Sequence, residues 1–240
     1  MNIALIGYGK MGKQIAKLLI PKGHRLAMIV DEDNADELSV ESLREKKVDV
    51  AIEFTTPDTA FSNVMKCLDA GVAVVSGTTG WKDRLDEARA HCLQRKGTFC
   101  YSPNYSIAVN VMMKINEVMA EMMNRFPEYD VTLDEVHHTH KRDAPSGTAV
   151  AMADDIIRLL DRKERWVGHT TVDPMELEVL SSRRGTVWGI HTVTYESDTD
   201  RLVMMHEAKG HKIFAEGAIL AAEFIFRKKG VFSMQDVLGF

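Results

Sequence analysis

The chain has 240 residues, 45% of them hydrophobic and 27% charged, which suits one large globular domain or two small ones. Its formal net charge of −5 lacks the basic excess that nucleic-acid binding needs, so we expect no nucleic-acid partner. No apolar stretch approaches the ~20 residues of a membrane-spanning helix and no export signal is recognisable, which predicts no membrane partner. Cys67, Cys92 and Cys100 are scattered and odd in number, as in reducing compartments, and predict a cytoplasmic protein.

The first hundred residues alternate short apolar runs with amphipathic segments. Strands are predicted at residues 3–6, 26–30, 48–54, 72–75 and 98–101, and helices at residues 11–20, 58–69 and 82–94. Continuous apolar strands separated by helices indicate a parallel sheet covered on both faces, the doubly wound Rossmann-type α/β fold. We therefore expect residues 1–105 to form a dinucleotide-binding domain.

The pattern changes after residue 105. Helices are predicted at residues 109–123, 147–160 and 215–226, and strands at residues 131–137, 187–195 and 202–207. The methionines of the first of these helices are expected to pack in a core. Residues 161–185 are polar and are expected to form an irregular loop over the site or at an oligomer contact. These elements predict an α+β domain over residues 106–212.

A glycine fingerprint lies between the first predicted strand and the first predicted helix; its residues are Gly7, Tyr8, Gly9, Lys10, Met11 and Gly12. Gly7 permits a tight turn, Gly9 lets phosphate approach the backbone, and Gly12 allows close packing of strand and helix. The helix N-terminus offers free N–H groups to a pyrophosphate. Asp31 follows 19 residues after Gly12, where an acidic side chain binds ribose hydroxyls. The alternative, an ordinary glycine turn, does not require a strand before it, a helix after it and an acidic residue at Asp31. The combination of these features therefore predicts nucleotide binding.

Acidic side chains continue beyond Asp31. Glu32 comes next, other carboxylates follow at positions 33, 36 and 37, and no arginine is nearby. The 2′-phosphate of NADPH would be repelled by these charges. The sequence therefore predicts NADH as the preferred cofactor, with NADPH as a possible one.

Two further loops follow predicted strands and carry small hydroxyl residues. They consist of Gly77, Thr78 and Thr79, and of Ser102, Pro103, Asn104 and Tyr105. Open α/β sheets bind their ligands at the carboxyl ends of the strands. We expect these loops to hold the nicotinamide and, at Thr79, part of the substrate. The Tyr105 ring is expected to pack on the nicotinamide.

A basic segment runs from His137 to Arg142, with five basic or imidazole side chains in six residues. Such a density favours a bound anion. Clustered histidines also bind zinc, but Lys141 and Arg142 would repel a cation and no cysteine lies nearby, so we expect no metal. An unliganded surface loop is the remaining alternative. If the segment were extended, His137, Thr139 and Lys141 would share one side.

The residues that follow indicate a carboxylate site. Ser146 is predicted to be the N-cap of a helix that begins at Gly147. Gly147 and Thr148 would then present backbone N–H groups at the positive end of that helix. Together with Lys141 they suit a carboxylate better than a neutral sugar.

Over essentially its whole length the chain resembles the dihydrodipicolinate reductase (4-hydroxy-tetrahydrodipicolinate reductase) family of bacterial lysine and diaminopimelate biosynthesis. The string from Glu135 to Thr148, with its His-His-x-His-Lys and Pro-Ser-Gly-Thr motifs, is the most specific match. Further matches are the glycine fingerprint, Glu53-Phe54-Thr55, Gly77-Thr78-Thr79-Gly80, Asn104-Tyr105-Ser106, Arg184-Gly185, Gly189-Ile190-His191-Thr192, Phe214-Ala215 and Gly217-Ala218.

The resemblance implies an NAD(P)H-dependent reductase of a small dicarboxylate. It also implies a homotetramer built through the 106–212 domain, with residues 213–240 packing back onto the nucleotide domain. By position, His137 matches the proton donor or acceptor and Lys141 the proton donor. His138, Gly147 and Thr148 match substrate contacts, and the loops at 77–79 and 102–105 match nicotinamide contacts.

The chain also departs from the family pattern. Its glycine loop is one residue shorter than in many relatives, and Glu32 and His211 stand where many carry arginine. Two other functions fit the first domain: another two-domain amino-acid or sugar dehydrogenase, and a non-catalytic NADH sensor. Neither explains Lys141 together with the Ser146-Gly147-Thr148 turn.

Overall fold

The computed structural model describes all 240 residues, which divide into two compact units. Unit 1 comprises Met1–Ile107 and His211–Phe240, and unit 2 comprises Ala108–Gly210. None of the helices is both long enough and apolar enough to cross a membrane.

Strands and helices alternate along the first half of the chain. They are β1 (Asn2–Ile6), α1 (Lys10–Leu19), β2 (Arg25–Val30), α2 (Val40–Glu45), β3 (Val50–Glu53), α3 (Pro57–Ala70), β4 (Ala73–Ser76), α4 (Leu85–Gln94) and β5 (Thr98–Tyr101). The second half contains α5 (Ile107–Met123), β6 (Asp130–His137), α6 (Gly147–Leu159), β7 (Arg165–Val167), β8 (Glu176–Arg183), β9 (Ile190–Glu196), β10 (Arg201–Glu207), α7 (Lys212–Ile225), β11 (Gly230–Phe232) and α8 (Met234–Leu238). Short 3₁₀-helices span Glu32–Glu37 and Lys82–Arg84.

Unit 1 is built on a six-stranded parallel sheet in the order β11-β5-β4-β3-β1-β2. Strands β3, β4 and β5 are buried along their whole length because helices cover both faces of the sheet. Helices α2, α3 and α4 contribute to the core on one face, and α1 and α7 to the core on the other. The predicted Rossmann-type fold is confirmed.

Several elements of unit 1 are absent from the sequence-based prediction. Helix α2 buries only Leu43, so its apolar pattern is too sparse to be recognised. Strand β11 has three residues and is defined by its pairing with β5, which is distant in sequence. Helix α8 has only five residues, with Ser233 as its N-cap.

Unit 2 is built on a five-stranded mixed sheet in the order β10-β9-β6-β8-β7. Strands β6, β7 and β8 are parallel to one another, β9 runs antiparallel to β6, and β10 runs antiparallel to β9. Helices α5 and α6 supply the core together with the sheet, and Met112 of α5 is buried there with Met113, Met119 and Met123 packed against it. This confirms the predicted core role for these methionines.

Two expectations for unit 2 were wrong. Residues 161–185 are not an irregular loop, because they contain β7 and β8, and β8 lies between β6 and β7 in the sheet. Leu177 and Val179 alternate inward along β8, but the polar residues around them conceal the strand in the sequence. The strand expected over residues 187–195 begins only at Ile190.

Candidate functional site

The glycine fingerprint forms the turn from β1 into α1. Gly7 has φ of +92°, and a Cβ at this position would lie 1.9 Å from the carbonyl oxygen of Phe54. A Cβ at Gly12 would lie 2.2 Å from the carbonyl oxygen of Gly7. Gly9 precedes the first turn of α1, whose N–H groups no side chain caps. Uncapped N–H groups at a helix N-terminus are what a pyrophosphate site requires.

A cavity of about 250 Å³ begins at this turn. It is lined by Ile6, Gly7, Gly9, Val30, Asp31, Glu32, Ala35, Phe54, Thr55, Thr56, Thr59 and Asn63. Asp31 follows β2 directly, and its backbone N–H donates to the Asn34 side chain at 2.7 Å. Asp31 and Glu32 are both exposed, and no lysine or arginine lines the cavity.

A second cavity of about 320 Å³ lies farther along the same edge of the sheet. It is lined by Met11, Phe54, Thr55, Pro57, Gly77, Thr78 and Thr79. Because Phe54 and Thr55 belong to both cavities, the two form one cleft from Asp31 to Thr79. The structure thus brings together the glycine turn, the acidic residues after β2 and the loop after β4.

Glu53 organises this cleft from beneath. Its side chain is fully buried at the carboxyl end of β3 and accepts hydrogen bonds from the hydroxyls of Thr55, Ser76 and Thr78 at 2.5, 2.5 and 2.6 Å. The backbone N–H of Thr55 donates to the same carboxylate at 2.9 Å. A glutamate that ends an apolar strand and precedes Phe-Thr is the sequence signal for this role, but only the structure shows what the carboxylate binds.

The loop after β5 corrects one expectation. Tyr105 is 2% exposed, and its hydroxyl donates to the carbonyl oxygen of Ser76 at 2.8 Å. Its ring belongs to the core, so the idea that it packs on a nicotinamide was wrong. Within this loop the Ser102 hydroxyl donates to the carbonyl oxygen of Asn104 at 2.7 Å. Pro103 is exposed, as is Lys10 at the start of α1, and Tyr8 is half-buried.

In unit 2 the extended conformation of the basic segment ends with β6 at His137. The Lys141 N–H donates to the carbonyl oxygen of His138 at 3.1 Å, so the segment turns and the predicted alternation stops. The His138 and His140 rings lie 6.4 Å apart, centroid to centroid. The Lys141 ammonium lies 2.8 Å from both carboxylate oxygens of Asp143. The segment therefore carries its own counter-charge, which the sequence analysis missed.

The predicted N-cap is confirmed. The Ser146 hydroxyl accepts from the Ala149 N–H at 3.2 Å at the start of α6, whose first turn contains no acidic residue. Gly147 is exposed and Thr148 is half-buried, so their N–H groups lie at an accessible, positive helix end.

A buried carboxylate, Glu135, links this helix end to the histidines. Pairing of β6 with β8 and β9 places Ser181 and His191 on either side of it. The carboxylate accepts from the Ser181 hydroxyl at 2.8 Å and from the Ser146 N–H at 3.1 Å. It lies 3.4 Å from His137 Nδ1 and 3.7 Å from His191 Nε2. Sequence analysis included Glu135 in a motif but gave it no role.

The protonation of this group follows from its burial. Burial lowers the pKa of His137, the Glu135 carboxylate opposes this, and the charges of Lys141 and Arg183 lower it further. Burial and the neighbouring His137 lower the pKa of His191 to about 4, so this ring is neutral at pH 7. Burial acts to raise the pKa of Glu135, but hydrogen bonds from Ser146 and Ser181 outweigh it and the pKa falls.

Glu135, His137 and His191 offer ligand atoms within 4.8 Å of one another, close enough for a metal ion. However, Arg183 Nη1 lies 3.4 Å from the carboxylate, and Ser146 and Ser181 already donate to it. These contacts engage the carboxylate of Glu135 and offset its negative charge, so the group is a poorer ligand for a cation.

Comparison with known families decides which enzyme class this site belongs to. Residues 1–105 match the family described as dihydrodipicolinate reductase, N-terminus, and residues 108–238 match dihydrodipicolinate reductase, C-terminus. The chain belongs to the dihydrodipicolinate reductase family. The resemblance inferred from the sequence motifs is thereby confirmed.

Individual relatives agree with this family. A 4-hydroxy-tetrahydrodipicolinate reductase from Christiangramia forsetii is 39% identical over 238 residues, covering 99% of this chain and 98% of that protein. One from Archaeoglobus fulgidus is 34% identical over 260 residues, covering 99% and 100%. The solved structure of a dipicolinate-bound dihydrodipicolinate reductase from Paenisporosarcina sp. TG-14 has a TM-score of 0.78 at 22% identity, covering 98% of each chain. At that identity the likeness concerns the fold.

Proposed function

We propose that this member of the dihydrodipicolinate reductase family reduces 4-hydroxy-tetrahydrodipicolinate to tetrahydrodipicolinate, a step of lysine and diaminopimelate biosynthesis. The observation that carries the proposal is the arrangement in unit 2, where Glu135 connects the N-terminus of α6 to the ring of His137. A helix end suits a carboxylate, and an imidazole and an ammonium group suit proton transfer. The cleft in unit 1 supplies the matching nucleotide site.

The carboxylate-binding part is the turn Ser146-Gly147-Thr148. Ser146 fixes the first turn of α6 by capping Ala149, so the N–H groups of Gly147 and Thr148 are not needed within the helix. They are proposed to bind one carboxylate of the substrate. His138 and Lys141 are proposed to contact the rest of the molecule, and Thr79 is also proposed as a substrate contact.

The protonating part consists of His137 and Lys141. When bound, the cofactor would supply a hydride to the substrate ring, where negative charge develops, and with a proton supplied the 4-hydroxyl group would leave as water. Lys141, held by Asp143, is proposed to donate the proton, and His137 is proposed to donate or accept one beside it. Burial of His137 excludes water from Nδ1, which favours proton transfer through the other ring nitrogen, Nε2.

NADH is proposed as the preferred cofactor. Asp31 and Glu32 both line the cleft, and no basic side chain lines it with them. A ribose 2′-hydroxyl can donate to Asp31, whereas a 2′-phosphate would meet two carboxylates. The remaining cofactor contacts are proposed for the glycine turn and for the loops at 77–79 and 102–104.

A homotetramer is proposed from the exposed apolar residues of unit 2. Helix α5 exposes an apolar stripe formed by Val111, Ile115, Val118 and Met122, and the edge strand β10 exposes Leu202, Val203 and Met205. An edge strand with exposed apolar side chains is a surface that a second chain covers. Light scattering on the purified protein tests this, and a monomer at micromolar concentration would contradict it.

The reaction is tested by turnover with substrate freshly made from aspartate semialdehyde and pyruvate. Oxidation of NADH is expected only when this substrate is present, and tight NADH binding without turnover would instead indicate a sensor. Lys141→Ala is expected to lower kcat by about 10²- to 10⁴-fold with unchanged NADH affinity. The exposed Arg125→Ala, outside the basic segment, is the control and should retain kcat within about threefold. Wild-type kcat in Lys141→Ala would exclude this lysine as the proton donor.

A further inference from the structure

The buried carboxylate of Glu135 contacts several groups around the proposed substrate site. Its side chain is fully buried, and the nearest cationic group, Arg183 Nη1, lies 3.4 Å away while a second guanidinium nitrogen donates to the carbonyl oxygen of Asp143. A buried charge is unfavourable unless a counter-ion and several donors compensate it, and Arg183 makes only long contacts, from Nη1 at 3.4 Å and Nη2 at 3.5 Å. Ser181 and Arg183 contact the carboxylate from β8, whereas the Ser146 N–H and the His137 ring belong to the two parts of the proposed substrate site.

The first contact is with the carboxylate-binding turn. The Ser146 N–H points into the Glu135 carboxylate at 3.1 Å from both oxygens. On its other side, the Ser146 hydroxyl lies 3.1 Å from His191 Nε2. Because this hydroxyl accepts from Ala149 and His191 is neutral, the hydroxyl proton is free to point at the His191 ring. The position of Ser146 is therefore fixed from the strand side by two residues.

The second contact is with the His137 ring. His137 Nδ1 is buried without a hydrogen-bond partner, and the acceptor it faces is Glu135 at 3.4 Å. The opposite edge of the ring borders Gly189, where a Cβ would lie only 3.0 Å from Nε2. Glycine therefore leaves Nε2 uncovered while Nδ1 is directed inward. Carboxylate–imidazole pairs of this kind fix the tautomer and the orientation of a catalytic histidine.

We propose that Glu135 is a positioning residue that couples substrate binding to proton transfer, holding the Ser146 turn and the Nδ1–H edge of His137 with one carboxylate. The proposal rests on the proposed function, which gives His137 a proton-transfer role beside Lys141 and assigns the substrate carboxylate to the turn. Its consequence is that His137 exchanges its proton with substrate through Nε2.

A pH dependence follows from the charged groups around His137. They are Glu135 on its own strand, Lys141 and Asp143 in the following turn, Arg183 on β8 and His191 on β9. Glu135 raises the pKa of His137, and Lys141 and Arg183 lower it. The protonated ring is present below this pKa, so activity that needs it is lost as the pH rises through it. Without the Glu135 charge, that loss occurs at lower pH.

Two variants at this position separate the two contacts. Glu135→Gln keeps an oxygen for the Ser146 N–H but removes the charge beside His137. We expect KM for the substrate to change by less than about threefold, kcat to fall about tenfold or more, and the basic limb of the kcat–pH profile to move about 1 pH unit to lower pH. Glu135→Ala removes both contacts and should raise KM about tenfold as well.

The control is Asp154→Asn, which removes an equal charge from an exposed position on α6 and should leave KM, kcat and the pH profile unchanged. Thermal unfolding of each variant verifies that it folds. An unshifted basic limb in Glu135→Gln would overturn the proposal, as would equal KM values in Glu135→Gln and Glu135→Ala.

A measurement on the wild-type protein keeps the test independent of folding. Imidazole ¹⁵N NMR, with His137 assigned through His137→Asn, should show the neutral ring protonated at Nδ1. A ring protonated at Nε2 would refute the proposal. If His137→Asn keeps wild-type kcat, the proton-transfer role that the proposed function gives to His137 is wrong. If His137→Asn is inactive and Glu135→Gln behaves as wild type, the coupling alone is wrong.

Discussion

Gly217 of α7 offers a direct test of how the C-terminal part of the chain supports the loop after β5, a proposed cofactor contact. A Cβ at this position would lie 1.7 Å from the carbonyl oxygen of Tyr105, although Cβ contacts below 3.0 Å are essentially never found. Gly217→Ala therefore requires a backbone displacement of about 1.3 Å, the difference between these two distances. Helix α7 cannot move alone because Ala215, Ala218 and Ile219 are fully buried beside it.

The magnitude follows from two opposing terms. Overpacking against backbone costs about 3 kcal/mol, and the better helix propensity of alanine returns about 1 kcal/mol. The net loss of about 2 kcal/mol corresponds to a fall in Tm of roughly 4–8 °C for a chain of this size. Differential scanning calorimetry measures it, and NADH affinity should also fall because Tyr105 belongs to the loop that contains Ser102 and Asn104.

The matched control is Gly168→Ala, since no atom lies within 4 Å of a Cβ at that position. It should unfold within about 1 °C of the wild type. A Gly217→Ala variant with the Tm of the control would show that the contact with Tyr105 does not constrain α7, and the reasoning would fail.

Two further predictions concern binding. Glu32→Gln removes one exposed carboxylate from the cleft, and with it a repulsion of the 2′-phosphate of about 1 kcal/mol in water. The kcat/KM with NADPH should therefore rise about fivefold, and this gain should shrink at high salt. An equal gain with NADH would contradict a charge effect. Ser146→Ala loses the cap of α6, so the free energy of unfolding should fall by about 1 kcal/mol and substrate KM should rise with unchanged NADH affinity. Ser146→Thr should restore both, and equal behaviour of the two variants would contradict a capping role.

Local features were predictable because their physics is local. The strand, glycine turn and helix of residues 2–19 follow from apolar periodicity and from a turn that only glycine accommodates. The cap at Ser146 likewise depends on residues three positions apart. The positions of the acidic residues Asp31 and Glu32 could also be predicted, since both come directly after the end of β2.

The errors arose where conformation depends on distant residues. Tyr105 looks like a surface aromatic in a loop, yet α7 closes over its backbone and its ring enters the core. Strand β8 looks like a polar loop, yet it pairs with β6 on one side and β7 on the other. In both cases burial by a remote segment outweighs the local pattern.

The sequence by itself determined the Rossmann-type unit, the family and the location of the basic segment, because each depends on residues that are close together in the sequence. The tertiary structure alone decided that Glu53 connects the loops after β3 and β4 and that Glu135 joins the Ser146 turn to His137. Both carboxylates act across neighbouring strands, and Ser181 and His191 reach Glu135 only through the register of β8 and β9 with β6. Strand register is set by the packing of the whole sheet, so no window of the sequence contains it.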